Sequence, residues 1–169
     1  SFSLWSPIGL GSISAPFSIL ICFLCFAFCP FFAVIYLYKK KFSDLDVSNL
    51  HKRTPLLVIA LASYASGALI FALTNTKILV LLALGCYIVS FIVMIVNLFW
   101  KVSIHCAGVT GPIFSLVFVF GPAALPLCTI IGLVAWSRIK LNNHTFMQTL
   151  AGTLISLTVG AIIYPMLYV

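Results

Sequence analysis

Three short polar clusters interrupt an otherwise apolar chain: Asn49-Leu-His-Lys-Arg-Thr-Pro55, Lys101-Val-Ser-Ile-His105, and Ser137-Arg138 followed after five residues by His144. Between them they hold all three histidines of the chain, His51, His105 and His144. Imidazole can serve near neutral pH as nucleophile, acid or base, and Arg and Lys are the side chains that grip an anion such as phosphate. The only carboxylates, Asp44 and Asp46, share one polar stretch, so the chain offers no carboxylate cluster for a divalent cation. The chemistry open to such clusters is anion binding beside titratable imidazoles. The same cations have a second reading, as signals that orient the chain in a membrane.

The elements that must position these clusters are membrane helices. With 63% hydrophobic residues, 7% charged residues and a mean hydropathy of +1.26, the 169-residue chain lies far outside the range of soluble domains, and a separate soluble domain has no room. The first span is expected from about Phe17 to Tyr38, stopping at Lys39-Lys40-Lys41, with Pro30 placed to kink it. It is too long and too basic at its end for a cleaved secretory signal, so a retained helix is expected. Residues 1–15, rich in Ser, Gly and Pro and carrying Phe2 and Trp5, read as an interfacial lead-in to a domain over 16–169. Further spans are expected over Pro55–Leu73 and Ile78–Trp100. The apolar stretch Ile104–Trp136 would be about 50 Å long as one helix, against a hydrocarbon core of roughly 30 Å. Gly121-Pro122, supported by Pro126, divides it into two crossings, and a last span runs from near His144 to the C-terminus. The expected architecture is an all-α, polytopic bundle of six transmembrane helices.

Six crossings put all three polar clusters on one side of the membrane. Every Lys and Arg except Lys77 falls on that side, as do both acids. Charge this lopsided means either orientation or a site for an anion; by the positive-inside rule the basic side would be cytoplasmic.

Other polar residues have blander readings. Asn97, one turn before Lys101, reads first as a helix–helix hydrogen bond and second as part of the site. Asn142 and Asn143 read as loop or capping residues. Cys22, Cys25 and Cys29 share a helix face, but in a lipid-spanning segment they read as small packing residues rather than metal ligands. With Cys86, Cys106 and Cys128 also in apolar runs, no disulfide framework is legible. No glycine-rich nucleotide loop, zinc signature or nucleic-acid-binding arm is present, and no internal repeat suggests a transporter built from inverted halves.

The clusters carry a resemblance. Ser137-Arg138, five residues, then His144 has the spacing of the third signature of the type-2 phosphatidic acid phosphatase superfamily, which includes vanadium haloperoxidases and bacterial acid phosphatases. Ser103-Ile104-His105 resembles its second signature, usually Pro-Ser-Gly-His, and Arg53 with Pro55 resembles the arginine end of the first. The motifs cover residues 46 to 148, and their order along the helices is similar to that of the family's six-helix membrane members. Asp46 stands at the place of the family's phosphate-binding lysine, Val102 and Ile104 at its proline and glycine, and Gln148 at its aspartate.

The resemblance implies phosphomonoester hydrolysis through a phosphohistidine, without metal or other cofactor. His144 would be the nucleophile, and His105 the acid for the leaving oxygen and later the base for water. Arg53, Arg138, Ser103 and Lys101 would hold the phosphoryl oxygens. Gln148, one helical turn after His144, would orient its ring without adding charge. The implied partners are a membrane lipid phosphate or polyprenyl diphosphate and the bilayer lipids, with the site facing one leaflet and no nucleic acid involved. The alternative is a non-catalytic member of the fold, serving as a lipid-binding or structural subunit among other membrane proteins. A small transporter or flippase ranks last, because few polar residues lie at mid-span.

Overall fold

In hydrocarbon each backbone N–H and C=O must find its partner within the protein, and every regular element among the described residues is helical. The computed structural model describes residues 15–39 and 50–168. The expected interfacial segment up to residue 14, and the readings of Lys40, Lys41, Asp44 and Asp46, lie outside the described residues. The elements are α1 (Ala15–Cys22), a π-helical turn (Phe23–Phe28), α2 (Cys29–Lys39), α3 (Leu50–Leu73), α4 (Lys77–Val96), α5 (Ile104–Phe120), a 3-10 turn (Gly121–Leu127), α6 (Cys128–Lys140) and α7 (Phe146–Tyr168). Among the described residues five helical segments are long and apolar enough to cross a bilayer: Pro16–Lys39, Arg53–Leu73, Lys77–Val96, Ile104–Lys140 and Phe146–Met166. Large side chains such as Phe17, Leu69, Leu133, Trp136 and Ile162 point outward. That surface suits lipid rather than water, and the build is that of a multi-pass integral membrane protein.

Pro30 explains the π turn. The Cys29 N–H donates to the Leu24 carbonyl, five residues back. The next donor in that pattern would be residue 30, which as proline has none, so the Cys25 carbonyl loses its partner along the helix. Ser63 of α3 supplies one, donating its hydroxyl to that oxygen at 2.7 Å. Gly67, one turn further along α3, lets the two helices approach this closely.

Two expected boundaries move. Helix α3 begins at Leu50 rather than Pro55, because hydropathy marks where hydrocarbon begins and not where winding begins. Helix α4 ends at Val96 rather than Trp100, because the Asn97 side chain takes over the hydrogen bonding there and turns the chain.

Helices α4, α5 and α7 pack against one another around Leu81, Val89, Val93, Ala107, Val159, Ile163 and Tyr164, while α3 packs against α4 and α2. The α5–α7 contact is close because α7 presents Gly152, Ser156 and Gly160 at four-residue intervals. A Cβ on Gly152 would stand 2.5 Å from the Ser103 carbonyl oxygen, and one on Gly160 2.6 Å from the Phe114 ring. Between them the buried Ser156 hydroxyl donates to the Ala107 carbonyl at 2.6 Å.

The stretch from Ile104 to Lys140 is not one rod. Gly121, at φ +61°, leaves the helical region, and Pro122 and Pro126 shape the 3-10 turn that follows. Helix α6 then packs on both α5 and α7. In a straight helix, residues eight apart already stand about 12 Å from each other, so contact between α5 and α6 requires a return. The two ends of the stretch also meet the start of α7: the Ser103 N–H donates to the Gln148 carbonyl at 3.1 Å and the His144 N–H to the Arg138 carbonyl at 3.3 Å. The segment therefore leaves one end of the bundle and comes back to it.

Candidate active site

The six-residue step from Arg138 to His144 is a helix stop followed by a helix start. Asn142 adopts φ +55°, the left-handed conformation that ends helices, and the Asn142 N–H donates to the Ile139 carbonyl while the Asn143 N–H donates to the Arg138 carbonyl. The next helix opens at once with a reciprocal cap. The Gln148 N–H donates to the Thr145 hydroxyl at 3.4 Å, and the Thr145 N–H donates to Gln148 Oε1 at 3.1 Å. His144 is caught between the two motifs.

Gln148 Oε1 also lies 3.1 Å from His144 Nδ1. An amide oxygen only accepts, so the imidazole carries its proton on Nδ1, and Nε2 is left with the lone pair. His144 is buried, and this burial, then the charge of the Arg53 guanidinium, push its pKa down to about 4. The Gln148 hydrogen bond works the other way, and Lys101 and His105 add to the lowering. The imidazole is therefore neutral at pH 7, the form a nucleophile requires.

Arg53 comes from the first turn of α3 and is buried. Its Nη1 donates to the Val102 carbonyl at 3.0 Å and to Asn97 Oδ1 at 3.4 Å. The same Asn97 oxygen accepts the Val102 N–H at 3.1 Å, and Asn97 Nδ2 donates to the Val93 carbonyl at 2.9 Å. Asn97 thus ties the end of α4, the arginine of α3 and the loop carrying Lys101 into one unit. Of its two readings from sequence, the hydrogen bond between helices is the one seen, and its partner is Arg53.

Ser103 is fully buried and caps α5, its hydroxyl oxygen accepting the Cys106 N–H at 3.3 Å. His105 is exposed on the first turn of α5, and Lys101 is half-buried in the loop before it. Arg138 is half-buried, its Nε is screened from solvent, and its charge acts on Cys106 in the first turn of α5.

The structure thus gathers Arg53, Lys101, Ser103, His105, Arg138, His144 and Gln148 at one end of the bundle, with Lys77 at the start of α4 near the other. The N-termini of α5 and α7 also open there, and their partial positive charge favours an anion. Sequence reasoning missed two supporting features. Thr145-x-x-Gln148 is a capping box legible in the letters, and the Gly152, Ser156, Gly160 spacing announces close helix contact. No protein-family model, curated protein or solved structure matches the chain.

Proposed function

We propose that this protein is a membrane lipid phosphatase that hydrolyses a lipid phosphate or polyprenyl diphosphate through a phosphohistidine, as a divergent member of the type-2 phosphatidic acid phosphatase superfamily. The observation that carries the reading is His144, neutral, its Nδ1–H donating to Gln148, with the charges of Arg53, Lys101 and His105 acting on its ring. A histidine built only for packing has no use for three cationic or titratable groups whose charge reaches its ring.

In this reading the Nε2 lone pair of His144 attacks phosphorus and the bond to the lipid oxygen breaks, while His105 gives that oxygen a proton. Water then attacks the phosphoryl group, His105 takes a proton from it, and the phosphorus–nitrogen bond breaks to free His144. Arg53 and Arg138 hold the oxygens on which charge spreads, and Lys101 adds to the field. Gln148 holds the ring as an aspartate would but leaves the imidazolium without a counter-charge, so turnover is slow. With α5 and α6 counted as two crossings, the bundle has six, and the site faces one leaflet, where a headgroup reaches it from the membrane.

The test is phosphate release by the purified protein in detergent with EDTA, on phosphatidate, phosphatidylglycerophosphate and polyprenyl diphosphate. Turnover is expected in the wild type and not in His144→Ala, and quenching in alkaline detergent should trap a base-stable phosphoryl group on the wild type that acid then releases. No release from any lipid would overturn the enzymatic reading in favour of a binding or structural subunit.

A further inference from the structure

A narrow groove runs between α3, α4 and α5. Its wall begins directly beneath the cationic site. Leu57 lies one turn below Arg53 on α3, and Val93 one turn below Asn97 on α4, while the α5 side starts at Ile104, next to Ser103. From there the lining continues to Tyr64 on α3, Cys86 on α4 and Gly111 on α5, about 10 Å further along each helix at 1.5 Å per residue. Each of the three helices whose ends carry Arg53, Asn97 and Ser103 thus lends one face to a single apolar channel leading away from them into the membrane.

We propose that this groove is the subsite for the hydrocarbon chain of the substrate, receiving its first roughly eight carbons below the phosphate. The inference rests on the phosphatase reading above, which supplies the phosphate at the upper end. An extended chain advances roughly 1.2 Å per bond, as the three bonds of an extended residue span about 3.5 Å, so about 10 Å of groove takes about eight carbons. Glycines make the room on the α5 side. At both Gly108 and Gly111, which line the groove, an added Cβ would meet nothing within 4 Å, so a larger residue there fills the groove without disturbing the packing of the bundle.

The test uses n-alkyl phosphates from ethyl to octyl, below their micellar concentrations, with the full chain in nanodiscs. For the wild type, kcat/KM should rise with chain length, by up to about fourfold per methylene, the transfer free energy of a CH2 expressed as a ratio. In Gly108→Leu and Gly111→Leu the rise should flatten, while ethyl phosphate turns over as in the wild type. Equal slopes in wild type and variants overturn the proposal, because partition into the bilayer would explain both. An equal loss for ethyl and octyl phosphate in both variants also overturns it, since the groove would then be structural. If no member is hydrolysed, calorimetric binding of the same series decides the groove, and the phosphatase reading stands or falls on the lipids named above. A chain-length dependence of affinity that Gly111→Leu removes upholds the subsite, and a flat series overturns it.

Discussion

Asn97 offers the sharpest test of how the candidate site is held, because two substitutions there should separate stability from anion binding. Asn97→Ala removes the acceptor for the buried Val102 N–H and for one contact of Arg53, while the Val93 carbonyl keeps the backbone N–H of residue 97. An orphaned buried donor costs about 1–3 kcal/mol, and loss of a long charge-assisted contact adds about 1 kcal/mol. The variant should therefore unfold earlier by about 2–4 kcal/mol. Asn97→Asp keeps both acceptor contacts but turns the Nδ2 donor, 2.9 Å from the Val93 carbonyl, into an oxygen that repels it, which the new ion pair with Arg53 offsets, so its stability should stay closer to wild type than that of Asn97→Ala. It also sets a carboxylate against Arg53, on the order of 7 Å from an anion held on the far side of the guanidinium. At an effective dielectric of about 20, unit charges at that distance repel by about 2.4 kcal/mol, roughly fiftyfold in affinity. Thermal unfolding in detergent reads the first effect, and inhibition or binding by inorganic phosphate or vanadate reads the second. The expected order is that Asn97→Ala is the less stable variant and Asn97→Asp the weaker anion binder. If both variants match wild type in both assays, Asn97 does not hold Arg53 in place. If Asn97→Asp binds the anion as well as wild type, Arg53 does not face it.

Three further expectations concern the imidazole, its contact with Gln148 and the packing of α5 on α7. Because the His144 pKa is held near 4 in the folded protein, against about 6.5 unfolded, the unfolded chain binds the extra proton between those values. This residue's contribution to stability is therefore complete above about pH 6.5 and is lost as pH falls towards 4, and the acid limb of any activity should lie well below 6.5. Gln148→Glu keeps the reach of the capping box and adds a negative charge, so the acid limb should move upward, readable as a fall in the ratio of activity at pH 5 to that at pH 7; an unmoved profile would show that residue 148 does not face the imidazole. Gly152→Ala should destabilise by about 1–3 kcal/mol although alanine is the better helix former, because the clash is with the Ser103 backbone; Gly160→Ala, which meets a ring able to turn, should cost less, as compared by thermal unfolding.

The amino-acid sequence by itself determined the class and most of the spans. Apolar runs of membrane length bounded by Lys and Arg admit helices and little else, and Gly121-Pro122 marks a break that any continuous helix would have to violate. The Arg138–His144 pair was read from a resemblance in spacing, while the helix stop at Asn142 and the cap at Thr145 that hold it are local events written in neighbouring residues. What the sequence could not decide was everything that depends on which helix faces which. That Asn97 spends its side chain on Arg53, 44 residues away, and on the loop after α4 follows from α3 packing against α4. The π turn at Phe23–Phe28 is stable because Ser63 happens to face the freed carbonyl. The neutral state of His144 likewise came from tertiary structure alone, since burial and the charge of Arg53 act through space and leave no trace in residue spacing.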